Sequence, residues 1–448
     1  MNLRLDNGIA IGILVVLCFA ALAHGAVESW SIAIVKLLAA VLVLLWSLKI
    51  ILEKRLVLTI PAVTWPLACF LLLGLVQSIR FRSMSLSQDI EATRGTVAIY
   101  ITMLVMFLLS ANFFANRERL RVMVSFLTFF GFALSVFALL QYFTWNGKFY
   151  WLRPTLSGLG SPFGPFANHN HFAGYMELLI GLPISLIVAS AIRREERIFY
   201  GFLAAVMGLT ILFSLSRGGM VSLLVELMFI ALLSNRLSRQ GVQAKTSMFW
   251  RGAVIVVLIA TIFIGAVWIG ADPVVNRVVG DNQDTISTSR TWVWKDALKV
   301  FQTYPISGAG VGAFQTAYPR RSDYDGFYGY VAQAHNDYLQ VLADGGIIGG
   351  VLALWFIGVV LRDVGRGMRA RDPLIAGMAL GSGAGIIGLL THSLFDFNLQ
   401  LPSNAMLFLL LCSIASFCSQ KISEQEASVV ISPGPRLNAP TFTVGVLG

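Results

Sequence analysis

Runs of about twenty apolar residues follow one another along the chain from residue 8 to residue 419, parted by short polar stretches. A bilayer hydrocarbon core about 30 Å thick takes about 20 apolar residues per helix. In lipid each backbone polar group must find its partner within the protein, which leaves helices or closed barrels. Runs of this length exclude barrel strands. On that ruler twelve helices are placed, at about 8–23, 31–52, 60–79, 96–114, 122–143, 172–192, 198–214, 219–234, 250–270, 346–361, 373–391 and 402–419, the seventh, eighth and tenth being short. The expected fold is an all-α polytopic integral membrane protein of about twelve transmembrane helices. Composition agrees, with 56% hydrophobic and 12% charged residues, about half the roughly 25% charged share of a soluble chain. The first run has no convincing small-residue cleavage site and another follows at once, so it reads as a retained helix and not a signal peptide.

The net charge of +10 would suggest nucleic acid in a soluble chain; here topology accounts for it, and no nucleic-acid partner is expected. With the N-terminus inside, 20 of the 33 Lys and Arg residues fall in cytoplasmic segments, 12 fall outside, and Lys36 lies within a span. Every inner loop is short and basic, so both termini are expected in the cytoplasm. Residues 1–420 then form one membrane domain, and 421–448, polar and Pro-containing, a disordered cytoplasmic tail. The four cysteines lie in apolar runs without metal or disulfide spacing. The longest connection, 271–345, is placed outside, and all five histidines map to that face or to helix ends beside it.

That loop carries structure of its own. Asp281-Asn282-Gln283-Asp284 reads as a solvent-facing turn. From Thr288 to about Thr303, Val293, Ala297, Val300 and Phe301 recur at helical spacing, with Ser287 or Ser289 as cap. With Trp292 and Trp294 this amphipathic helix is expected at the membrane interface. Tyr304 to Gly312 is a Gly-rich turn; no Lys-Ser/Thr follows and no strand precedes it, so it is not a Walker loop. Asp323-Tyr324-Asp325 reads as a solvent-facing turn, and no outer cluster has metal-ligand spacing.

Three outer residues carry chemistry. His335, in Ala334-His335-Asn336-Asp337-Tyr338, sits where the chain re-enters the membrane, followed by Gly345-Gly346 and Gly349-Gly350, which suit close helix packing. The plainer reading is a histidine that caps a helix or anchors at the headgroups. Arg217, in Ser216-Arg217-Gly218-Gly219, and Arg290, at the start of the amphipathic helix, are positive on the side the charge bias avoids. Arginine binds phosphate oxygens bidentately, and helix N-termini favour anions. Interfacial snorkelling is the plainer account of each. Together the three suggest a phosphate-bearing, membrane-embedded substrate.

At these residues the chain resembles the O-antigen ligase and O-antigen polymerase superfamily, most strongly from about 160 to 405. His335-Asn336, nine residues, then Gly346-Ile347-Ile348-Gly349 fits the family's His-Asn-x9-Gly-x-x-Gly pattern. Ser216-Arg217-Gly218, Ser289-Arg290 with Trp292, Pro305 to Gly310, Phe166 to Ala173 and His392 to Phe397 look like its other recurring segments. The resemblance implies a GT-C-like glycosyltransferase with one large periplasmic loop, metal-independent and without cofactor, in a bacterial inner membrane. Its donor would be a glycan on undecaprenyl diphosphate, and its acceptor lipid A-core or a growing glycan. Carried over, Arg217 and Arg290 hold the diphosphate and His335 assists the acceptor hydroxyl, supported by Asn336, Asp337 and Tyr338. Ligation is the reading the single dominant loop favours. A polymerase of lipid-linked repeat units is the alternative, and a lipid-glycan transporter a more distant one, since no internal repeat is evident and only Lys36 lies deep in a span.

Overall fold

The computed structural model describes residues 2–81, 84–154, 162–239, 284–318 and 331–430. The expected ninth span at 250–270, the stretch 281–283 and the pair Asp323 and Asp325 lie outside the described residues. The elements are α1 (Asn2–Leu22), α2 (Ser29–Glu53), α3 (Thr64–Gln77), α4 (Ile90–Phe113), α5 (Arg117–Phe143), α6 (His169–Val188), α7 (Glu196–Phe213) and α8 (Arg217–Arg239). They continue with α9 (Asp284–Thr303), α10 (Phe314–Ala317), α11 (Asp337–Gly367), α12 (Pro373–His392) and α13 (Pro402–Val430). Two short antiparallel ribbons interrupt the helices, β1 (Arg80–Phe81) with β2 (Met84–Ser85) and β3 (Lys148–Phe149) with β4 (Arg153–Pro154).

Among the described residues ten helices, all but α3, α9 and α10, are long and apolar enough to cross a membrane. The chain is a multi-pass membrane protein. Where the sequence suggests a third full span, α3 has only 14 residues, about 21 Å of helix at about 1.5 Å per residue and short of a hydrocarbon core. Lipid-facing apolar residues are exposed along α2 (Leu37, Leu44, Ile51) and α11 (Val351, Leu354, Trp355).

Polar contacts sort the helix ends into two faces. At one, Asp6 meets Lys49 at 2.5 Å and Arg119 at 3.1 Å, and Arg117 meets Asp372 at 2.6 Å. At the other, Arg153 meets Glu28 at 2.8 Å, His24 Nδ1 lies 2.9 Å from the Pro165 carbonyl, and Ser403 N donates to Gly25 O at 3.2 Å. The charge count groups Lys49, Arg117 and Arg119 on one side and Arg153 on the other, and the bundle groups them alike.

The helix α6 is buried from end to end and α12 packs along it. Lipid supplies little hydrophobic drive for helices to associate, so close backbone approach over small residues does that work. Gly377 and Gly385 of α12 lie where a Cβ would come within 2.9 Å of Ala189 and 3.0 Å of the Leu178 Cα. Asp372 caps α12, its side chain accepting the Leu374 N–H with Pro373 in the first turn.

The amphipathic helix differs from expectation in two ways. Its apolar face (Val293, Ala297, Val300) is buried against Ala309, Phe314, Ala317, Ala334 and Ala343, a small protein core above the bundle and not a lipid surface. It also begins at Asp284, so Arg290 sits in its second turn and not at its N-terminus. A helix dipole acting on Arg290 is therefore no part of the site.

The glycines after His335 also act otherwise than by simple packing. Within α11, Gly346 has φ 62° and ψ −157°, breaking the helix. Into the break comes the Gly-rich turn: Ile347 N donates to Pro305 O at 2.8 Å and Ala309 N to Ala343 O at 2.8 Å. Gln77 of α3 ties this joint, accepting from Val311 N at 3.0 Å and donating to Asp344 O at 3.0 Å. The turn is thus a structural clasp over α11. A side chain at Gly346 would collide with the Ile306 carbonyl, which gives that glycine a steric reason.

Candidate functional site

Six residues running from the last residue of α12 toward α13, His392-Ser393-Leu394-Phe395-Asp396-Phe397, organise the polar end of the bundle. Asp396 is the hub. Its carboxyl is 0% exposed by residue and accepts from Asn170 Nδ2 at 2.5 Å and from Phe397 N at 2.9 Å. His335 Nδ1 lies 3.4 Å and His171 Nε2 3.8 Å from Oδ1, and Arg290 Nη2 lies 3.7 Å from Oδ2. These last three are ion-pair approaches, longer than a good hydrogen bond. Burial alone would raise the Asp396 carboxyl, but the imidazoles of His171 and His335 hold it well below the usual carboxylate range.

The sequence elements explain how four distant segments meet there. Asn168 caps α6, accepting from Asn170 N at 2.9 Å, which points Asn170 and His171 from the first turn toward Asp396. Asn404 Nδ2 holds the His171 carbonyl at 3.0 Å. On α11, Asn336 is the cap: its Oδ1 accepts from Tyr338 N and Leu339 N at 3.0 Å each, while Nδ2 donates to Leu394 O at 2.9 Å. Asp337 N donates to Ser393 O at 2.9 Å, and its Oδ2 accepts from Ser393 Oγ at 2.8 Å and Leu399 N at 3.1 Å. Tyr338 OH reaches Leu390 O at 2.7 Å. Asn336, Asp337 and Tyr338 thus bind α11 to the 390–399 segment, and what faces the His335 ring is Asp396 and Phe397.

His335 itself has φ 50°. A non-glycine residue in the left-handed region carries a cost of order 1–2 kcal/mol, which the surrounding structure must impose. It is imposed here from both sides: Asn336 is pinned as above, and Trp294 Nε1 of α9 donates to the His335 carbonyl at 3.3 Å. Phe397 packs edge-on against both His335 and His171, centroids 4.8 Å away in each case. The imidazole keeps a third of its side chain exposed (33%) and Arg290 nearly as much (31%), so both can meet a ligand over a buried carboxylate.

Arg217 opens α8 and is exposed. Its neighbour Gly218 abuts the same hub: a Cβ there would lie 2.8 Å from the His392 ring and 3.4 Å from Phe395 Cβ. Arg290 and His335 therefore meet one six-residue segment, and Arg217 is the chain neighbour of a glycine packed on it. The sequence alone assigns no individual role to His171, His392, Asn170 or Asp396. Both segments that carry them stood out as recurring pieces, but nothing local shows that they face each other.

Fold and site together define a multi-pass helical membrane protein with a cationic and imidazole-bearing site at one end of its bundle. Residues 202–354 match the O-antigen ligase family model, which supports membership of the O-antigen ligase superfamily. The matched stretch contains Arg217, Arg290 and His335; Asp396 and Asn170 lie beyond it. No curated protein matches the chain.

Proposed function

We propose that the protein transfers a glycan from undecaprenyl diphosphate to an acceptor hydroxyl at the periplasmic face of a bacterial inner membrane, as an O-antigen ligase acting on lipid A-core. Superfamily membership supports O-antigen ligase- or polymerase-type chemistry on lipid-linked glycans. The observation that carries the site assignment is the convergence of Arg290 and His335 on Asp396, with Arg217 next in the chain to Gly218, which packs on the same segment.

Displacing a lipid diphosphate from the anomeric carbon builds negative charge on the leaving group. Arg217 and Arg290 supply fixed positive donors for it. His335 takes the proton of the attacking hydroxyl; a positioned base contributes about 10²–10⁴-fold. Its Nδ1 faces Asp396, which leaves Nε2 for the acceptor, the same orienting logic that a buried carboxylate provides in other imidazole bases. A single displacement of this kind inverts the sugar. Asn336, Asp337 and Tyr338 act through the backbone by holding His335 in its left-handed conformation.

The test is reconstitution in nanodiscs with a lipid-diphosphate glycan and a lipid A-core acceptor. His335→Ala is expected to lower turnover far more than donor affinity. Arg290→Ala should abolish donor binding, with Arg290→Lys a poor rescue because the fork geometry is lost; activity should survive EDTA. Near-normal transfer by Arg290→Ala overturns its assignment. A product of lengthened lipid-linked glycan, with lipid A-core left unmodified, would make the protein a polymerase.

A further inference from the structure

Next to the hub, among several buried polar atoms without a hydrogen-bond partner, one belongs to a histidine that makes no ion pair with Asp396. His392, at the C-terminal end of α12, is 1% exposed. Its Nδ1 lies 2.9 Å from Oε1 of Glu177 on α6, itself fully buried. Its Nε2 is buried and has no hydrogen-bond partner. That nitrogen packs against the first turn of α8 at Gly218, so closely that a Cβ there would lie 2.8 Å from Nε2 and 2.8 Å from Cδ2. A desolvated polar atom without a partner is a standing cost, and a packing role alone would be served as well by an apolar side chain.

The turn it faces suits an anion. α8 is 23 residues long, and Ser216 caps it, its carbonyl accepting from Met220 N at 2.9 Å and its Oγ from Gly219 N at 3.1 Å. The first turn of a helix presents N–H groups and the positive dipole end. Arg217 stands in that turn. Glu177 supplies the counter-charge that lets an imidazolium sit in a dry site, and an imidazolium donates from both nitrogens.

We propose that His392 is a third anion-binding side chain of the donor site, its Nε2–H donated to a phosphoryl oxygen of a lipid-linked diphosphate seated on the first turn of α8 beside Arg217. Glu177 is then a positioning residue, acting through the imidazole. The inference rests on the reading of the site as a lipid-diphosphate site. It also gives Gly218 a reason: any side chain there would collide with the imidazole.

The experiment measures binding of undecaprenyl diphosphate, undecaprenyl monophosphate and inorganic pyrophosphate to the full-length protein in nanodiscs, and donor KM and kcat in the reconstituted reaction. His392→Gln and the isosteric Glu177→Gln are each expected to weaken undecaprenyl diphosphate binding and raise KM by tenfold or more. Turnover at saturating donor should stay within threefold of wild type, a split between KM and kcat that a purely structural role does not produce. Retention of pyrophosphate binding by wild type and its loss in His392→Gln would show that the subsite reads the diphosphate and not the lipid tail. Wild-type binding with His392→Gln and Glu177→Gln both within twofold of it overturns this inference alone. A wild type that binds no undecaprenyl diphosphate overturns the functional reading and this inference with it.

Discussion

Replacing Asp396 by Asn removes one negative charge while keeping nearly the same shape. The carboxyl accepts from Asn170 Nδ2 at 2.5 Å and Phe397 N at 2.9 Å, and faces Arg290 at 3.7 Å and two imidazoles. A unit charge pair at that Arg290 separation is worth about 1 kcal/mol in a water-like medium and roughly 4–5 kcal/mol at an effective dielectric near 20. Arg290 is 31% exposed, which places the effective figure in the lower part of that range. Hydrogen bonds to charged groups contribute about 1.5–3 kcal/mol net. Asp396→Asn is therefore expected to lower the transfer rate by about 10- to 150-fold at about 1.36 kcal/mol per tenfold, through misorientation of His335 and Arg290. Asp396→Ala should fall further and fold poorly, because it also strands the Asn170 amide and the Phe397 N–H, at about 1–3 kcal/mol each. The assay is single-turnover transfer in nanodiscs with donor binding measured in parallel. An Asp396→Asn protein within threefold of wild-type turnover would refute the view that this carboxylate orients the site.

Acid stability should report the same group. The Asp396 carboxyl is held well below its usual value in the folded protein, so between the folded and unfolded values the unfolded chain binds more protons and stability rises with pH. This contribution is complete above the unfolded value of about 3.9 and is lost as pH falls through the folded one; melting temperatures in nanodiscs should show an acid limb below about pH 4 that Asp396→Asn flattens, and equal limbs would count against it. Gly346→Ala puts a side chain at φ 62° against the Ile306 carbonyl and 2.6 Å from Gly308 N, so a loss of at least about 2–4 kcal/mol is expected from conformation and overpacking together. Gly345→Ala, whose Cβ would meet only Leu73 Cδ2 at 3.5 Å, is the control and should melt close to wild type; equal melting of the two variants would show that the clasp on α11 has no steric basis.

What the sequence determined by itself was everything that depends on local composition. Twenty-residue apolar runs can only be satisfied as helices in lipid, so the spans at 31–52, 122–143, 373–391 and 402–419 could be read directly and correspond to α2, α5, α12 and α13. The 3.6-residue recurrence of Val293, Ala297 and Val300 disclosed α9 in the same way. The pairing of Arg217, Arg290 and His335 was legible as chemistry, from residue types that seldom sit at the outer ends of spans. Tertiary structure decided the rest, because contact across sequence has no local signature. Asp396 reads as one acid in a short loop; only the meeting of α6, α9 and α11 over that loop surrounds it with Asn170, His171, Arg290 and His335. Hydropathy could not tell whether α9 would face lipid or protein, since both are apolar, and the Ala309–Phe314 core settled it. The break at Gly346 depends on a turn forty residues earlier docking into α11, and the tight packing at Gly218 on an imidazole from α12. Each is a close approach between backbones whose separation along the chain carries no trace of it.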